Sequence, residues 1–530
     1  MNKIFNLRRL TGLASLLLLG TSIILAQTES FNVYLYKNGN IIFSKLASDI
    51  NYVKLEENKT KFSVYDMNNM VAFSQAVSGV DSLVTKTVNT DLWLEWATST
   101  ATGQFYANTP AMSPDGKCVY VLSNDYALRC YDSATGVEKW AFKTGEVQGV
   151  TFTPSATYST PSVDSDGTIY IAVGNTNGKL FAVNPTGTLK WVTQADAKTG
   201  FWNKGSVATP GMRYGSPIAD DKYVYCGNGG STGSMVAFDK TTGKRVTYLT
   251  NAAGTAGPAG GILQGPVINS NGFMYMMGAV YGEFGVDKAS MKTDNTFTPL
   301  AWQRPSRTDL KDYGSGLSAN AQGSMAIDAE GNAVMTIYPK NSKTTIYCVK
   351  QDGSPKWITS IDNSAKQDQG GVVIGTDGTV YASLKKATGI KGGIVALDGT
   401  TGVEKWIYEL DESVSGAPAI DADGHILFGT DSGNFYIIDE TGQNTLAKID
   451  VPAQVAASNV SFASQWAAGK GKMWSSPIID ATGKIYIGIT NTASTNNSCM
   501  VALQSKYVSS PAASVWPMHG RDVMQGNTVK

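Results

Sequence analysis

Residue types that carry out chemistry are sparse in this chain of 530 residues. Its two histidines, His425 and His519, have no cysteine or second histidine at the spacing of metal ligands. The pattern Asp-x-Asp-Gly at residues 164–167 and 421–424 supplies clustered oxygens of the kind that Ca²⁺ prefers, but neither copy has the later glutamate of a calcium loop. We interpret both copies as turns and predict no metal site and no catalytic residue, although the members of a Ser/His/Asp site need not be neighbours in sequence.

Five cysteines are an odd number, and their spacing shows no disulfide framework. Cys118 and Cys130 flank a turn around residues 124–125 and could face each other across a hairpin. Two interpretations stay open for this pair, a disulfide bridge or two small buried thiols. The other cysteines are interpreted as small buried residues: Cys226, Cys348 and Cys499.

The first 26 residues have the composition of a secretory signal peptide. A mostly apolar segment at residues 10–25, too short for a comfortable membrane span, follows three basic residues and ends before Ala26, a small residue at a plausible cleavage point. We predict a signal peptide over residues 1–26 and a mature chain exported to the periplasm or cell surface of a Gram-negative bacterium, with an uncleaved anchor as the alternative. The first cysteine is Cys118, so we expect no lipid attachment at a new N-terminal cysteine.

The charge balance argues against a nucleic-acid partner. The chain has 43 basic and 43 acidic residues, and removal of the signal segment takes away three basic ones, which leaves 40 against 43. A slightly acidic chain lacks the electrostatic footprint of a nucleic-acid-binding protein. No later segment is apolar enough to span a membrane, and we expect a soluble monomer.

One short sequence motif, which we call the phrase, recurs along the chain. Cys-Tyr-Asp-Ser-Ala-Thr-Gly-Val-Glu-Lys-Trp at residues 130–140 returns as Ala-Leu-Asp-Gly-Thr-Thr-Gly-Val-Glu-Lys-Trp at residues 396–406, with looser copies around Gly187, Gly243 and Gly353. A phrase that returns about every 50 residues is typical of a repeat architecture. Each unit opens with a small residue that usually precedes proline and continues with a glycine turn and β-rich runs, which predicts four strands per unit.

We count eight such units, and the eighth lacks its fourth strand. A candidate for the missing strand lies at residues 92–96, so an N-terminal strand would complete the last sheet and remove exposed strand edges. We predict an all-β fold, an eight-bladed β-propeller of four-stranded blades over residues 89–530 including a closing tail, with an open solenoid as the alternative. Residues 27–88 contain a short duplication, in which Phe43 and Phe73 correspond, and are predicted to form a small β module.

The recurring phrase has a structural interpretation. Its aspartate, Asp132 or Asp398, can accept hydrogen bonds from the turn that follows, and its glycine can supply a positive φ. We expect the tryptophans that end the phrase to pack in the grooves between neighbouring blades: Trp140, Trp191, Trp357 and Trp406.

At these residues the chain resembles the pyrroloquinoline-quinone (PQQ)-type β-propeller family, whose hallmark is Ala-x-Asp-x-x-Thr-Gly-x-x-x-Trp. Residues 396–406 match the hallmark fully, residues 130–140 depart only at the first position, and residues 237–246 lack the tryptophan. The segment at residues 516–522 is similar to one seen beside such propellers, where it packs at the closure. The resemblance covers residues 89–527 and implies the propeller fold.

The resemblance does not imply one activity, because the family has both catalytic and non-catalytic members. The family's alcohol dehydrogenases use PQQ, Ca²⁺, an aspartate base and a bridge between two adjacent cysteines, whereas other members are non-catalytic, among them the lipoprotein of the outer-membrane β-barrel assembly machinery. This chain has no Cys-Cys pair, and no positions take over the quinone site. The resemblance therefore implies a non-catalytic binding or scaffold protein without a cofactor. A PQQ- and calcium-dependent dehydrogenase acting on alcohols or sugars is the alternative, and a polysaccharide-active enzyme is a third interpretation.

Three connections between consecutive blades are long, at about residues 192–213, 303–322 and 451–473, although most connections in proteins are short. All three are of the same class and emerge on one face, which predicts a binding surface for a protein or glycan partner in the cell envelope. The alternative is that these loops bury their own aromatic residues. Aromatic and arginine side chains dominate binding hot spots, and the predicted binding residues are Trp202, Arg213, Tyr214, Arg304, Arg307, Tyr313, Trp466 and Trp474.

Overall fold

Short β-strands joined by tight turns make up nearly all of the regular structure, as the recurring phrase predicts. Among the described residues no helix is long and apolar enough to span a membrane. The computed structural model describes residues 5–6, 23–24, 31–37, 40–46, 50–56, 61–66, 71–76, 82–87, 91–99, 108–152, 159–174, 178–193, 216–227, 235–250, 265–278, 282–294, 297–304, 324–337, 343–365, 370–458, 460–493, 497–522 and 524–527.

The strands before the propeller are β1 (Phe5–Asn6), β2 (Ile23–Ile24), β3 (Phe31–Lys37), β4 (Asn40–Leu46), β5 (Ile50–Glu56), β6 (Lys61–Asp66), β7 (Val71–Ala76) and β8 (Ser82–Thr87). They form two sheets, in the orders β1-β2-β5-β6-β7 and β4-β3-β8. Phe43 and Phe73 each lie on the second strand of an antiparallel hairpin, β3–β4 and β6–β7. The duplication in the sequence is thus a duplication of hairpins.

The repeat units form eight four-stranded antiparallel blades, and the first strand of each blade lies nearest the central axis. The strand β9 (Leu92–Ser99) precedes blade 1. Blade 1 consists of β10 (Ala111–Met112), β11 (Cys118–Leu122), β12 (Ala127–Asp132) and β13 (Glu138–Lys143), and blade 2 of β14 (Ser162–Val163), β15 (Ile169–Val173), β16 (Lys179–Val183) and β17 (Leu189–Val192). Blade 3 consists of β18 (Ile218–Ala219), β19 (Tyr223–Gly227), β20 (Met235–Asp239) and β21 (Arg245–Thr250), and the extra strand β25 (Phe297–Pro299) pairs with β21 on its rim. Blade 4 consists of β22 (Val267–Ile268), β23 (Phe273–Gly278), β24 (Gly282–Asp287) and β26 (Trp302–Arg304).

Blades 5 to 8 repeat this order. Blade 5 consists of β27 (Ala326–Ile327), β28 (Ala333–Ile337), β29 (Thr345–Val349) and β30 (Pro355–Ser360), and blade 6 of β31 (Val372–Ile374), β32 (Val380–Leu384), β33 (Gly392–Leu397) and β34 (Glu404–Leu410). Blade 7 consists of β35 (Ala419–Ile420), β36 (Ile426–Gly429), β37 (Asn434–Ile438) and β38 (Thr445–Asp450). Blade 8 follows the short strand β39 (Gly471–Lys472) and contains β40 (Ile478–Ile479), β41 (Ile485–Asn491) and β42 (Ser498–Ser505).

The strand β9 completes blade 8 as its fourth strand. It runs antiparallel to β42, with Leu92 opposite Ser505 and Ser99 opposite Cys499. One blade is therefore built from both ends of the repeat region, which confirms the predicted ring closure. Hydrogen bonds along this junction tie the first blade to the last.

Each tryptophan of the phrase packs against the next blade, as predicted. The ring of Trp357 in blade 5 lies over Gly402 in blade 6, and its Nε1 donates to the carbonyl oxygen of Gly399 at 2.9 Å. A Cβ atom on Gly402 would lie 2.7 Å from that ring, so glycine is required for its size as well as for its φ of +74°. Equivalent contacts join other blades, namely Trp96 over Gly136, Trp140 over Gly187, Trp191 over Gly243, Trp302 over Gly353 and Trp406 over Gly442.

Around the axis, hydroxyl groups join the beginnings of the first strands. Thr109 Oγ1 accepts from the backbone N–H of Ser476, Thr160 Oγ1 from that of Thr109, and Ser216 Oγ from that of Thr160, at 3.0–3.3 Å. Ser476 Oγ in turn accepts from the backbone N–H of Ala417 at 2.9 Å, so five consecutive blades are linked in this way. The small residue that opens each unit is therefore needed where the blades converge.

The C-terminal tail fills the centre of the ring near the other ends of the first strands. The backbone N–H groups of Ile420 and Ile374 donate to the carbonyl oxygens of Pro517 and Trp516, both at 2.8 Å, and Trp516 is fully buried. The tail therefore contacts the innermost strands of several blades and not the closure alone. Its further bonds near the inner strands include Val163 N to Met524 O, Ile268 N to Asn527 O, Ala512 N to Ile420 O, and Gln525 Nε2 to Pro110 O.

Strand alternation and the tail give the propeller two different faces. The connection face carries the links from the fourth strand of one blade to the first strand of the next, together with the turns between second and third strands. The tail face carries the remaining turns and the tail. The link between blades 7 and 8 contains α1 (Val451–Ala457), whose N-cap Asp450 accepts from Ala453 N at 2.9 Å, and a 3₁₀ turn at Ala463–Gln465. Two further 3₁₀ turns are Thr144–Glu146 and Lys288–Ser290.

Candidate functional site

The structure describes only part of the predicted binding surface. Arg304 is the last residue of β26, but its side chain lies outside the described part of the chain. The assignment of these residues therefore stays a prediction. The residues that lie wholly outside the described ranges are Trp202, Arg213, Tyr214, Arg307 and Tyr313.

Trp466 and Trp474 both belong to the link between blades 7 and 8, but their surroundings differ. Trp466 is 5 % exposed and lies in the same core cluster as Val451 and Val455 of α1. It holds the link against the blades and offers little surface to a partner, as expected from the alternative in which a loop buries its own aromatic residue. Trp474 is only half-buried and lies where the link reaches the connection face.

Three residues of blades 7 and 8 form the candidate site on the connection face, and we call them the Asp-Lys-Trp cluster: Asp431, Lys472 and Trp474. Asp431 lies in the turn between β36 and β37, whereas Lys472 ends β39. Lys472 Nζ lies 3.9 Å from the centre of the Trp474 ring and 3.5 Å from Asp431 Oδ2. One ammonium group thus joins an aromatic face to a carboxylate of the neighbouring blade.

The residue between Lys472 and Trp474 explains how they are presented. Met473 is fully buried, and its backbone N–H donates to the carbonyl oxygen of Thr430 at 3.1 Å. Its sulfur occupies the space that a Cβ atom on Gly429 would need. Because alternate residues of an extended segment point in opposite directions, the burial of Met473 turns Lys472 and Trp474 away from the core.

The carboxylate of the cluster is poorly solvated. The Asp431 side chain is 20 % exposed and that of Lys472 is 31 % exposed. Burial raises the pKa of the Asp431 carboxyl, and the positive charge of Lys472 opposes the shift only in part. A partly buried ion pair of this kind is stabilised by a ligand that completes its hydrogen bonds. Groups with shifted pKa values are also concentrated at functional sites.

A second carboxylate on the same face serves the structure instead. Glu412 accepts hydrogen bonds from Asn434 Nδ2 at 2.9 Å, and from Thr430 Oγ1 and Tyr436 OH at 2.6 Å. Burial disfavours its ionised form, but these donors outweigh burial and lower the pKa of Glu412. Its oxygens tie the link between blades 6 and 7 to blade 7.

The Asp-Lys-Trp cluster is suited to recognition. An indole face binds apolar or sugar-ring surfaces, and the ion pair accepts and donates hydrogen bonds at its edge. A Ser/His/Asp centre would need a histidine, and both histidines are held at the tail: His425 beside Asp421, and His519 with its Nδ1 2.6 Å from Gln525 Oε1. Sequence reasoning found Trp474 through its residue type and its link, but nothing in the spacing pointed to Asp431.

One group of three potential metal ligands occurs within the described residues, Asp421, Asp423 and His425. It lies in the turn after the first strand of blade 7, on the tail face. Asp421 Oδ1 accepts from the backbone N–H groups of Asp423 and His425, while its Oδ2 lies 3.0 Å from His425 Nδ1 and accepts from Ser509 N of the tail at 3.2 Å. The carboxylate is thus occupied in holding the turn and the tail together, as the interpretation of this motif as a turn requires.

The pair formed by His425 and Asp421 predicts a pH-dependence of stability. The hydrogen bond to Asp421 raises the pKa of His425 in spite of burial. The stabilisation is therefore fully present below the unfolded pKa of about 6.5 and is lost as the pH rises through the raised folded pKa. We expect His425→Gln to lower the free energy of unfolding by about 1–2 kcal/mol at acidic pH and by less at alkaline pH, as measured by urea unfolding across this range.

His519 provides the opposite control. Burial lowers the pKa of His519, so the folded state resists protonation and stability is lost as the pH falls below about 6.5. His519→Gln should therefore reduce the decrease in the free energy of unfolding at acidic pH, whereas His425→Gln should make that decrease larger. Identical pH profiles for the two variants would show that the histidine environments are assigned wrongly.

The chain matches the family model described as outer membrane protein assembly factor BamB over residues 87–276 and 300–502. The chain belongs to this family. The matched residues include the closing strand β9 and strands of all eight blades. No curated protein matches the chain.

Solved structures share the fold at low identity. The quinohemoprotein alcohol dehydrogenase from Comamonas testosteroni is 13 % identical with a TM-score of 0.54, covering 78 % of this chain and 76 % of that one. A europium-containing methanol dehydrogenase is 12 % identical with a TM-score of 0.54, covering 78 % and 93 %. BamB from Moraxella catarrhalis is 13 % identical with a TM-score of 0.36, covering 91 % and 98 %. The two dehydrogenases show the propeller fold alone.

The cysteines of the sequence and the carboxylates of the described residues do not fit the calcium and quinone site implied by the dehydrogenase resemblance. The sequence has no adjacent cysteines to lie against the quinone. Within the described ranges, the one carboxylate group with metal-ligand geometry is at the tail face, where Asp421 is engaged by the turn and by Ser509. We therefore derive no reaction step through a quinone.

Proposed function

We propose that the chain is an exported, non-catalytic propeller of the cell envelope that binds a protein or glycan partner through its connection face. The observation that carries this proposal is the difference between the two faces. The tail occupies the centre of the ring on one side, and its residues Trp516 and Met518 are buried there. The other side presents the Asp-Lys-Trp cluster.

Three features support recognition as the role of the connection face. Trp474 offers an aromatic surface of the kind that dominates interface energetics, and Lys472 places a charge beside it. The exposed part of the link just before them contains the small residues Ala467, Ala468 and Gly469, so a partner could approach closely. The rigid blades below the link fix its position, which reduces the entropy lost on binding.

Membership of this family supports the proposed location in the cell envelope and the proposed class of partner, a protein or a glycan. The family's description as an outer membrane protein assembly factor supports a role in the cell envelope, and the signal peptide predicted over residues 1–26 would direct export. A partner in that compartment would be an envelope protein or a surface glycan. This assignment rests on analogy within a family and so needs a direct test.

The test compares two lysines on opposite faces. Lys472 pairs with Asp431 on the connection face, and Lys405 pairs with Asp377 on the tail face at 3.2 Å, where both side chains are more exposed. We expect Lys472→Ala combined with Trp474→Ala to reduce the partner recovered by affinity capture from cell envelopes about 10-fold, the effect of losing about 1.4 kcal/mol. Lys405→Ala should leave recovery unchanged. Equal recovery with both variants would exclude the Asp-Lys-Trp cluster as the contact.

A further inference from the structure

Blade 1 departs from the repeat at two positions, and both departures are cysteines. In blades 2 and 6 a threonine precedes the second strand, and the lysine of the phrase donates to its hydroxyl group. Lys190 Nζ lies 2.8 Å from Thr168 Oγ1, and Lys405 Nζ lies 2.7 Å from Thr379 Oγ1. In blade 1 the corresponding residue is Cys118.

Backbone hydrogen bonds establish this correspondence. The carbonyl oxygen of Cys118 accepts from Ser113 N at 2.9 Å, and that of Thr168 accepts from Asp164 N at 2.8 Å, each closing the turn before the second strand. The lysine of the phrase follows the same geometry in blade 1, where Lys139 Nζ lies 3.7 Å from Cys118 Sγ. The repeat therefore places an ammonium group beside a thiol where other blades place it beside a hydroxyl.

The second departure is Cys130, at the position that the hallmark fills with alanine. Cys130 lies opposite Tyr120 across the β11–β12 hairpin. Because alternate residues of a strand share a face, Cys118, two residues before Tyr120, lies on the same face as Cys130. The two thiols are therefore diagonal neighbours on one face of the hairpin.

The surroundings of the two sulfurs make them unequal. The neighbouring Cys130 thiol lowers the pKa of Cys118 to about 6 against the effect of burial, and the charge of Lys139 adds to the shift. The neighbouring Cys118 and burial raise the pKa of Cys130, which is fully buried, whereas Cys118 is half-buried. The titratable groups around the pair are Lys139, Asp132, which pairs with Lys139 at 3.0 Å, Asp115 and Tyr120.

We propose that Cys118 and Cys130 form a redox-active pair that reacts with a low-molecular-weight disulfide. The Cys118 thiolate attacks one sulfur of the small disulfide, which forms a mixed disulfide and releases one thiolate. The Cys130 thiol then transfers its proton to that thiolate and attacks the Cys118 sulfur, which closes the Cys118–Cys130 bridge and releases the second half as a thiolate. Two cysteine thiols are oxidised to one disulfide, and one small disulfide is reduced to two thiols.

The register of the hairpin predicts a bridge that is easily reduced. Diagonal neighbours on an antiparallel pair are about 7–8 Å apart at Cα, which is at or beyond the limit of an unstrained disulfide. Closure of the bridge therefore requires the backbone of the hairpin to move. Strained disulfides have higher reduction potentials than structural ones, so the bridge would open again under mildly reducing conditions.

Another blade provides the matched control. Cys348 of blade 5 occupies the same alanine position as Cys130, opposite the tryptophan of its phrase. The residue that corresponds to Cys118 is Asn332, whose carbonyl oxygen accepts from Asp328 N at 2.9 Å. Cys348 is fully buried, so it reports on a thiol at this position in a blade without the second cysteine.

The experiment uses the reduced full-length mature chain, oxidised glutathione and peptide mass spectrometry. Variants take the residue that other blades carry, Cys118→Thr and Cys130→Ala, so that each should fold, with Cys348→Ala as the control. We expect a Cys118–Cys130 disulfide in the wild type and in the Cys348 variant, and a persistent glutathione adduct on Cys118 in the Cys130 variant. The Cys118 variant should remain unmodified at Cys130. A wild type without the bridge, or an unreactive Cys118 in the Cys130 variant, would overturn the proposal.

A second readout separates reactivity from packing. The rate of reaction of Cys118 with 5,5′-dithiobis(2-nitrobenzoate) should rise with pH to a plateau with a midpoint near 6, below the value of about 8.5 for an ordinary thiol. Lys139→Ala and Cys130→Ala should each move this midpoint upward, while Lys190→Ala in blade 2 should not. A midpoint near 8.5 in the wild type would contradict the assignment of Cys118 as the attacking thiolate.

Discussion

Gly402→Ala is expected to destabilise the propeller by about 2–5 kcal/mol. The φ of Gly402 is +74°, which costs an alanine about 1–2 kcal/mol. The added methyl group would also lie 2.7 Å from the ring of Trp357 and 2.8 Å from Thr359 Oγ1, and overpacking of this kind costs about 1–3 kcal/mol. Urea unfolding followed by tryptophan fluorescence would measure the change.

Blade 6 also contains the control for this prediction. Gly378 has a φ of +81°, and no atom lies within 4 Å of the position that its Cβ atom would take. Gly378→Ala should therefore carry only the backbone cost of about 1–2 kcal/mol. If the two variants unfolded at the same urea concentration, the contact between Trp357 and Gly402 would contribute nothing to the joining of blades 5 and 6.

Trp96→Ala should destabilise the chain by about 3–5 kcal/mol and open the ring at its junction. Trp96 lies on the closing strand β9 and is 3 % exposed. Its ring covers Gly136 of blade 1 and contacts Tyr486 of blade 8, and its Nε1 donates to the carbonyl oxygen of Ser133 at 3.1 Å. A single side chain thus connects the last blade to the first. Thermal unfolding together with limited proteolysis would detect both effects.

Trp140→Ala is the matched control for the closure. Trp140 makes the same contact between blades 1 and 2, over Gly187, and its Nε1 donates to the carbonyl oxygen of Pro185 at 3.1 Å. Both variants should lower the unfolding temperature, but only Trp96→Ala should make the strand β9 accessible to protease well below that temperature. Protease resistance of β9 equal to that of the Trp140 variant would mean that closure does not depend on Trp96.

The fold could be predicted because its determinants are local. The aspartate, glycine and tryptophan of each phrase fix a turn and a contact with the next blade, so their spacing carries the architecture. Trp302 escaped this reasoning because blade 4 keeps the aspartate of the phrase, Asp287, but lacks its Thr-Gly, yet the Trp302 ring covers Gly353 as the other tryptophans cover their glycines. The path of the tail was also out of reach, since its bonds to Ile374 and Ile420 are made by backbone groups that any sequence possesses.

The candidate site could be predicted only in outline. The length of the link between blades 7 and 8 pointed to the connection face, and residue type pointed to Trp474. Asp431 lies in an ordinary turn, and only the fold shows that Lys472 reaches it. Trp466 had the same residue type and the same link as Trp474 but is buried, because the direction of a side chain in an irregular link depends on contacts far away in sequence.

Site-specific photo-crosslinking in living cells tests the central claim, that the connection face binds the partner. The crosslinking residue would replace Ala467, which is exposed in the link between blades 7 and 8, or Val403, which is 63 % exposed in the last turn of blade 6 on the tail face. The account predicts a defined crosslinked product from position 467 and none from position 403. Crosslinks from position 403 alone would contradict it and would assign partner binding to the tail face.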